Sequence, residues 1–161
     1  MKYFISHRGN INGRIPEKEN HPDYILQAIN AGYDVEIDVW YVNNQILLGH
    51  DEPQYEISLD FLLSYCHKLW CHAKNFAALT MMHNYKDKLH FFSHDLDTHV
   101  LTSKGIIWSY IGKQIDKNTI CVMPELATTS YTKQDFINCL GFCSDNVQFY
   151  RIMYKNNNNN N

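Results

Sequence analysis

Residues 35–41 have the sequence VEIDVWY, in which apolar residues, several of them β-branched or aromatic, alternate with two acidic ones. A run of this composition predicts a β-strand. Side chains alternate between the two faces of a strand, so Glu36 and Asp38 share one face while Ile37 and Val39 share the other. We therefore expect this strand to place one apolar face in a core and two carboxylates on the opposite face.

On both sides of this strand, short apolar runs alternate with segments of helical periodicity. The predicted strands are residues 3–6, 35–41, 45–48, 69–72, 90–93, 106–110, 119–123 and 142–144. The predicted helices are residues 24–31, 58–67, 76–85 and 132–140, the last with Gly141 as its C-terminal cap. Such alternation predicts parallel βα units, which close most simply as a barrel. We expect a reduced (β/α)8 TIM-type barrel, because that fold usually needs about 250 residues.

The length of 161 residues corresponds to one domain. We assign residues 1–155 to it and expect the asparagine run at 156–161 to be a disordered tail, because it has no apolar side chain to bury. The net charge of −3, without a basic run, argues against nucleic acid as a partner. We find no apolar stretch of membrane-spanning length and no signal peptide, which together predict a cytoplasmic protein.

Polar residues follow several predicted strands, and barrel enzymes carry their catalytic groups at such strand ends. His7 and Arg8 follow the first strand, and His50 follows the strand at residues 45–48. An imidazole titrates near neutral pH, which suits a general acid or base. A guanidinium group pairs well with phosphate oxygens. Phosphate chemistry at these strand ends is the hypothesis that follows.

Glu36 and Asp38 are candidate metal ligands. Two carboxylates on one face of an apolar strand repel each other in a low-dielectric interior, and a divalent cation removes that repulsion. Carboxylate oxygens suit Mg²⁺ or Ca²⁺. The alternative is that both carboxylates face solvent on an edge strand, which the apolar neighbours disfavour.

Taken together, these segments resemble the glycerophosphodiester phosphodiesterase family. The similarity rests on HRG at residues 7–9, EN at 19–20, EIDV at 36–39 and GHDE at 49–52. It implies a (β/α) barrel related to the phosphatidylinositol-specific phospholipases C. It also implies hydrolysis of a small, glycerophosphodiester-like substrate with the help of a divalent metal.

The resemblance implies a role for each quoted side chain. His7 and His50 would be the acid and base, Arg8 would bind the phosphate, and Glu36 and Asp38 would bind the metal.

On its third strand the family carries a metal-binding Glu, followed two residues later by Lys. Here His72 and Lys74 stand at those positions. We expect Lys74 at the phosphate and His72 as the third ligand, which would favour Mn²⁺ or Zn²⁺, since imidazole is a poor ligand for Mg²⁺ and Ca²⁺.

Two other functions remain open, and the replacement of that Glu by His72 favours the first of them. One is a metal-independent lyase like the related phospholipases C, and the other is a phosphate-binding module without turnover. Glu125, which follows the strand at residues 119–123, is a further candidate carboxylate. Residues 93–97 either supply ligands or form a polar turn.

Overall fold

A computed structural model describes residues 2–127 and 129–159 of the chain. Its strands are β1 (Tyr3–His7), β2 (Asp34–Val42), β3 (Gln45–Leu48), β4 (Tyr55–Ile57), β5 (Leu69–Ala73), β6 (Phe91–Phe92), β7 (His99–Leu101), β8 (Ile107–Ser109), β9 (Thr119–Val122) and β10 (Gly141–Ser144). Its α-helices are α1 (Pro22–Asn30), α2 (Leu59–Ser64), α3 (Phe76–His83), α4 (Lys133–Asn138) and α5 (Val147–Asn159). Two 3-10 helices cover Pro16–Lys18 and Pro124–Leu126.

The ten strands of the described residues form one mixed sheet. From β6 the order is β5, β2, β1, β10, β9 and β8, and each of these neighbours pairs in parallel. β7 adds to β8 in the antiparallel direction, and the β3–β4 hairpin branches from β2, also antiparallel. The sheet curls into a half-barrel of eight strands with a concave inner face.

The prediction of a reduced (β/α)8 TIM-type barrel is wrong. The strands are mixed in direction, and helices do not follow them in regular alternation. The clearest departure is the segment at residues 93–118, which forms loops and the antiparallel β7–β8 pair where a barrel needs helices. Its apolar runs are only a few residues long and are divided by Gly105 and Gly112, so no amphipathic helix forms there.

The alternation of side chains along β2 decides which face of the sheet carries the core and which carries the polar groups. Val35, Ile37 and Val39 are buried against a cluster supplied largely by α1, α2 and α3. Glu36 and Asp38 point to the inner, concave face, as their two-residue spacing predicts. A second apolar cluster occupies that face below the strand ends; it contains Ile5, Trp70, Phe92, Trp108, Ile120, Val122, Met123 and Cys143.

Several local predictions are confirmed, and one is corrected. The hairpin between β2 and β3 turns at Asn43 and Asn44, both left-handed, and Ser58 caps α2. Gly141 does not cap α4, since it is the first residue of β10. A Cβ there would lie 2.6 Å from the Cβ of Tyr3, so the close approach of β1 requires glycine.

The last helix, α5, was not among the predicted elements. It continues to Asn159 and so enters the run for which the sequence predicted a disordered tail; residues 160–161 lie outside the described part of the chain. Its Tyr150 ring stacks on Phe142 of β10, which attaches the helix to the outer face of the sheet. Among the described residues, the helices are all too short or too polar to cross a membrane.

Candidate functional site

A cavity of about 510 Å³ opens at the carboxyl ends of the parallel strands. It is lined by all the residues predicted for acid–base catalysis, phosphate binding and metal binding except Asp38, which is fully buried at its floor, and Glu125. The structure thus brings together seven residues from four separate segments of the sequence: His7, Arg8, Glu36, Asp38, His50, His72 and Lys74. The parallel direction of β1, β2 and β5 is what places their polar ends at one edge of the sheet.

Glu36, Asp38 and His72 form a compact cluster in which one ligand atom from each lies within 4.8 Å of the others. Asp38 and His72 are paired positions of β2 and β5, so their side chains project together. Nδ1 of His72 lies 3.1 Å from Oδ1 of Asp38 and 3.8 Å from Oε1 of Glu36. Nε2–H of His72 donates to the carbonyl oxygen of His94 over 3.1 Å, which directs Nδ1 at the carboxylates.

Of the two carboxylates, Asp38 has more polar contacts than Glu36. Its Oδ2 accepts a 2.8 Å hydrogen bond from Asn20 Nδ2, and its own N–H donates to Asn20 Oδ1 over 2.9 Å. Arg8 Nε forms a 2.9 Å ion pair with Oδ2, and Lys74 Nζ lies 3.7 Å from Oδ1. Burial by itself raises the pKa of Asp38, but the hydrogen bond from His72 and the charge of Arg8 hold it well below its usual range.

Glu36 has the opposite environment. It is buried, and its Oε2 has no hydrogen-bond partner among the described residues. Burial raises the pKa of Glu36, and the negative charge of Asp38 raises it further. The other oxygen of Glu36, Oε1, lies 3.8 Å from Nδ1 of His72, and a buried, incompletely partnered carboxylate beside a second carboxylate and an imidazole fits a divalent cation. A donor set of two carboxylates and one imidazole suits Mn²⁺ or Zn²⁺.

His7 ends β1 and is held in a fixed orientation. Its Nδ1–H donates to Oδ1 of Asp145 over 2.7 Å, and Asn10 Nδ2 donates to the same oxygen over 2.8 Å. Nε2 lies 3.9 Å from Oε2 of Glu36, on the cavity side. Burial lowers the pKa of His7, but the hydrogen bond to Asp145 and the charge of Glu36 outweigh it and raise the pKa overall. His7 therefore presents one nitrogen for proton transfer while the other is anchored.

His50 lies in the loop after β3 and is much less constrained. Its side chain is 42 % exposed, and Nδ1 lies 2.7 Å from the exposed carboxylate of Asp51. Burial lowers its pKa, and the charge of Arg8 lowers it further. A Cβ on the preceding Gly49 would collide with the carbonyl oxygen of Glu52, so the tight loop that presents His50 depends on that glycine.

Arg8 occupies an uncommon backbone conformation with φ of 56°. Its NH1 also contacts Glu19 Oε2 at 3.2 Å, so the guanidinium group spans two buried carboxylates. Of the five non-glycine residues with positive φ in the described part of the chain, three are asparagines, which tolerate it. The other two, Arg8 and Met123, both line the cavity. Backbone strain of this kind is concentrated at functional sites.

Sequence reasoning missed the residues that hold this site together. They are Asn10, Glu19, Asn20 and Asp145, all buried and all hydrogen-bonded to predicted site residues or to one another. Glu19 and Asn20 belong to the segments on which the resemblance rests, but no function was predicted for them. Asp145 follows β10 and meets His7 across 138 positions of sequence, a distance at which no local pattern signals a contact.

Glu125 and His94 have supporting roles. Glu125 Oε1 accepts hydrogen bonds from Ser144 Oγ and from the N–H of Asp145, over 2.8 and 2.9 Å. It therefore orients the partner of His7 and is not one of the clustered metal-type ligands. His94 lines the cavity, and its carbonyl group fixes the ring of His72.

Comparison with models of known protein families and with curated proteins gives no match for this chain. The resemblance to the glycerophosphodiester phosphodiesterases therefore stays a prediction from the residues quoted above. A functional assignment rests on the geometry of the cavity.

Proposed function

We propose that the protein is a phosphodiester hydrolase that uses a divalent cation in this cavity. One observation carries the proposal: two imidazoles, His7 and His50, line the same cavity as the cluster of Glu36, Asp38 and His72. A site that only bound phosphate would not need an acid and a base beside its cations. Acid–base groups beside a metal-type cluster match the needs of phosphoryl transfer.

Each group has a task that follows from its position. A cation held by Glu36, Asp38 and His72 would polarise a phosphoryl oxygen. Arg8 and Lys74 supply positive charge at the cavity floor and bind the phosphate.

The two imidazoles supply the two proton transfers of the reaction. One imidazole takes the proton of the attacking hydroxyl or water, and the other donates a proton to the leaving oxygen. Asp145 keeps His7 in the tautomer that offers Nε2 to the substrate.

The main test measures hydrolysis of glycerophosphocholine in the presence of Mn²⁺. We expect His7→Ala and His50→Ala each to lower kcat/KM by about 10²-fold or more. His83→Ala is the control, because His83 is exposed at the end of α3 and does not line the cavity. Wild-type rates in both cavity variants would contradict the proposal.

The metal part of the proposal has a separate readout. Titration calorimetry with Mn²⁺ on metal-free protein is expected to show one site, which Glu36→Gln removes. Asp95→Asn is the matched control, since Asp95 lines the same cavity but is exposed and outside the cluster. Equal Mn²⁺ affinity in Glu36→Gln and wild-type protein would mean that the cluster does not bind metal.

A second candidate function is a metal-independent lyase, and the contacts of Asp38 favour it. Arg8 and Lys74 lie 2.9 and 3.7 Å from its carboxylate oxygens, so the protein's own cations already supply positive charge where a metal would act. Activity that survives exhaustive chelation, with a cyclic phosphate as product, would favour the lyase. Binding of the diester without any product would favour a phosphate-binding module.

A further inference from the structure

Part of the cavity lining is apolar, and neither the proton transfers nor the phosphate contacts use it. This apolar strip consists of Trp108, Tyr110, Ile111, Val122, Met123 and Leu126. All six belong to β8, to β9 or to the segments that directly follow these strands. The charged cluster comes instead from β1, β2 and β5, so one cavity has a charged side and an apolar side.

The strip runs from the interior of the sheet to the protein surface. Trp108, Val122 and Met123 are almost completely buried, whereas Tyr110 is 41 % exposed and Leu126 is 65 % exposed. Large apolar side chains that stay exposed next to a cavity indicate a binding surface for an apolar group. The gradient from buried to exposed suits an elongated group that enters the cavity from outside.

Met123 supports a functional origin of the strip. It has a left-handed backbone with φ of 46°, which is costly for a residue other than glycine or asparagine. Its N–H donates to the carbonyl oxygen of Cys143 over 2.8 Å, and Pro124 follows it at the start of a 3-10 helix. This bend carries Leu126 to the cavity mouth.

We propose that the substrate is an amphiphilic phosphodiester with a single alkyl chain. The phosphate lies at Arg8 and Lys74, and the first part of the chain follows the strip outward past Leu126. The proposal rests on the proposed function and names its substrate class, which differs from the small polar diester expected from the sequence. Charge complementarity supports it, because Arg8 and Lys74 line the cavity where the phosphate belongs, whereas all six side chains of the strip are uncharged.

The test compares two compounds that differ only in the chain: glycerophosphocholine and its 1-octanoyl ester, the latter kept below its micelle concentration. Both retain a free hydroxyl group next to the phosphate, so water and neighbouring-hydroxyl mechanisms are treated alike. Binding is measured by calorimetry on His50→Ala protein, where turnover is suppressed, and hydrolysis is measured on wild-type protein. We expect the octanoyl compound to bind at least about tenfold more tightly and to show a correspondingly higher kcat/KM.

Substitutions in the strip test whether its side chains cause the preference for the octanoyl compound. Leu126→Asn and Tyr110→Asn are expected to reduce the octanoyl preference severalfold. Leu101→Asn is expected to keep it, because Leu101 is equally large and 69 % exposed but does not line the cavity.

Three outcomes separate the proposals. Equal binding of the two compounds, or a preference that survives in both strip variants, overturns the assignment of an alkyl chain to the strip. Tighter octanoyl binding without hydrolysis of either compound supports the strip and overturns the phosphodiesterase function. Hydrolysis without an octanoyl preference leaves the enzyme standing and rejects the amphiphilic substrate.

Discussion

The two sides of the cavity are stabilised by different kinds of interaction. At the ends of β1, β2 and β5, buried charged side chains pair with one another. Asp38, for example, contacts four side chains: Asn20, Arg8, His72 and Lys74. At the ends of β8 and β9, the six side chains of the strip are uncharged and range from buried to exposed. Removing one partner of a buried charge lowers the free energy of unfolding strongly, whereas truncating a partly exposed apolar side chain changes it little. We therefore expect stability to depend on the charged side and substrate preference on the apolar side.

The largest expected effect is the loss of stability in Asp38→Asn. The substitution leaves the buried guanidinium group of Arg8 without its nearest countercharge, and we expect the free energy of unfolding to fall by about 3 kcal/mol. Urea unfolding at neutral pH in metal-free buffer measures it. Asp95→Asn, an exposed carboxylate on the same cavity, should change the free energy of unfolding by less than about 0.5 kcal/mol. A loss no larger in Asp38→Asn than in this control would contradict the comparison.

The next effect is that of Asp145→Asn, and it depends on pH. The pKa of His7 is raised in the folded protein, so its contribution to stability is complete below its ordinary value of 6.5 and is lost as pH rises through the higher folded value. Burial raises the pKa of Asp145, but the hydrogen bond from His7 lowers it overall, so its contribution is present above 3.8 and is lost in stronger acid. We expect a loss of about 2 kcal/mol near pH 5.5 and a smaller loss near pH 9.

Urea unfolding at the two pH values, without metal, measures this difference. Asp97→Asn, which alters an exposed carboxylate, is the control. An equal loss at both pH values would show that the ion pair between His7 and Asp145 does not contribute to stability.

Glu36→Gln is expected to act in the opposite direction. Because burial and Asp38 raise the pKa of Glu36, its ionised form opposes folding above the ordinary value of 4.5. The neutral amide should therefore stabilise metal-free protein by about 1 kcal/mol near pH 8, with a gain that disappears below about pH 4. A stabilised protein that no longer binds Mn²⁺ would identify Glu36 as a residue kept for function. Destabilisation at pH 8 would contradict its unpartnered environment.

The smallest expected effect is on the apolar side. Leu126→Asn should change the free energy of unfolding by less than about 0.5 kcal/mol, because most of the side chain is already in water. Leu62→Asn, on the buried face of α2 in the main core, is the contrasting variant and should lose several kcal/mol of unfolding free energy or fail to fold. A large loss of unfolding free energy in Leu126→Asn would indicate that the strip is part of the core and would argue against its being a binding surface.

Local patterns predicted eight of the ten strands of the described residues, but not β4 or β7, and they predicted the polar residues at the strand ends. The two-residue spacing of Glu36 and Asp38 is enough to place them on one face, and the Asn43-Asn44 turn is enough to place the loop with His50 next to β2. His72 came from the resemblance, and the pairing of β2 with β5 sets it opposite Asp38. These placements follow from strand periodicity, which is a short-range property of the chain.

The architecture and the supporting contacts could not be predicted in the same way. A barrel requires a helix after each strand, but residues 93–118 satisfy their backbone partly through the β7–β8 pair and partly through loops. Likewise, Asn10 is an ordinary loop residue in the sequence, and only the folded chain shows that it bridges Glu19 and Asp145. Contacts of this kind depend on which strands become neighbours, and side-chain type alone does not determine that.

The central position of β1 has a consequence for biosynthesis. β1 leaves the ribosome well before β10, yet β10 is one of its two neighbours in the sheet. A nascent chain that has not yet exposed residue 145 holds His7 without the carboxylate that orients it. Long-range pairing of this kind forms late and slowly. The oriented pair of His7 and Asp145 therefore forms only after β10 has been synthesised and has paired with β1.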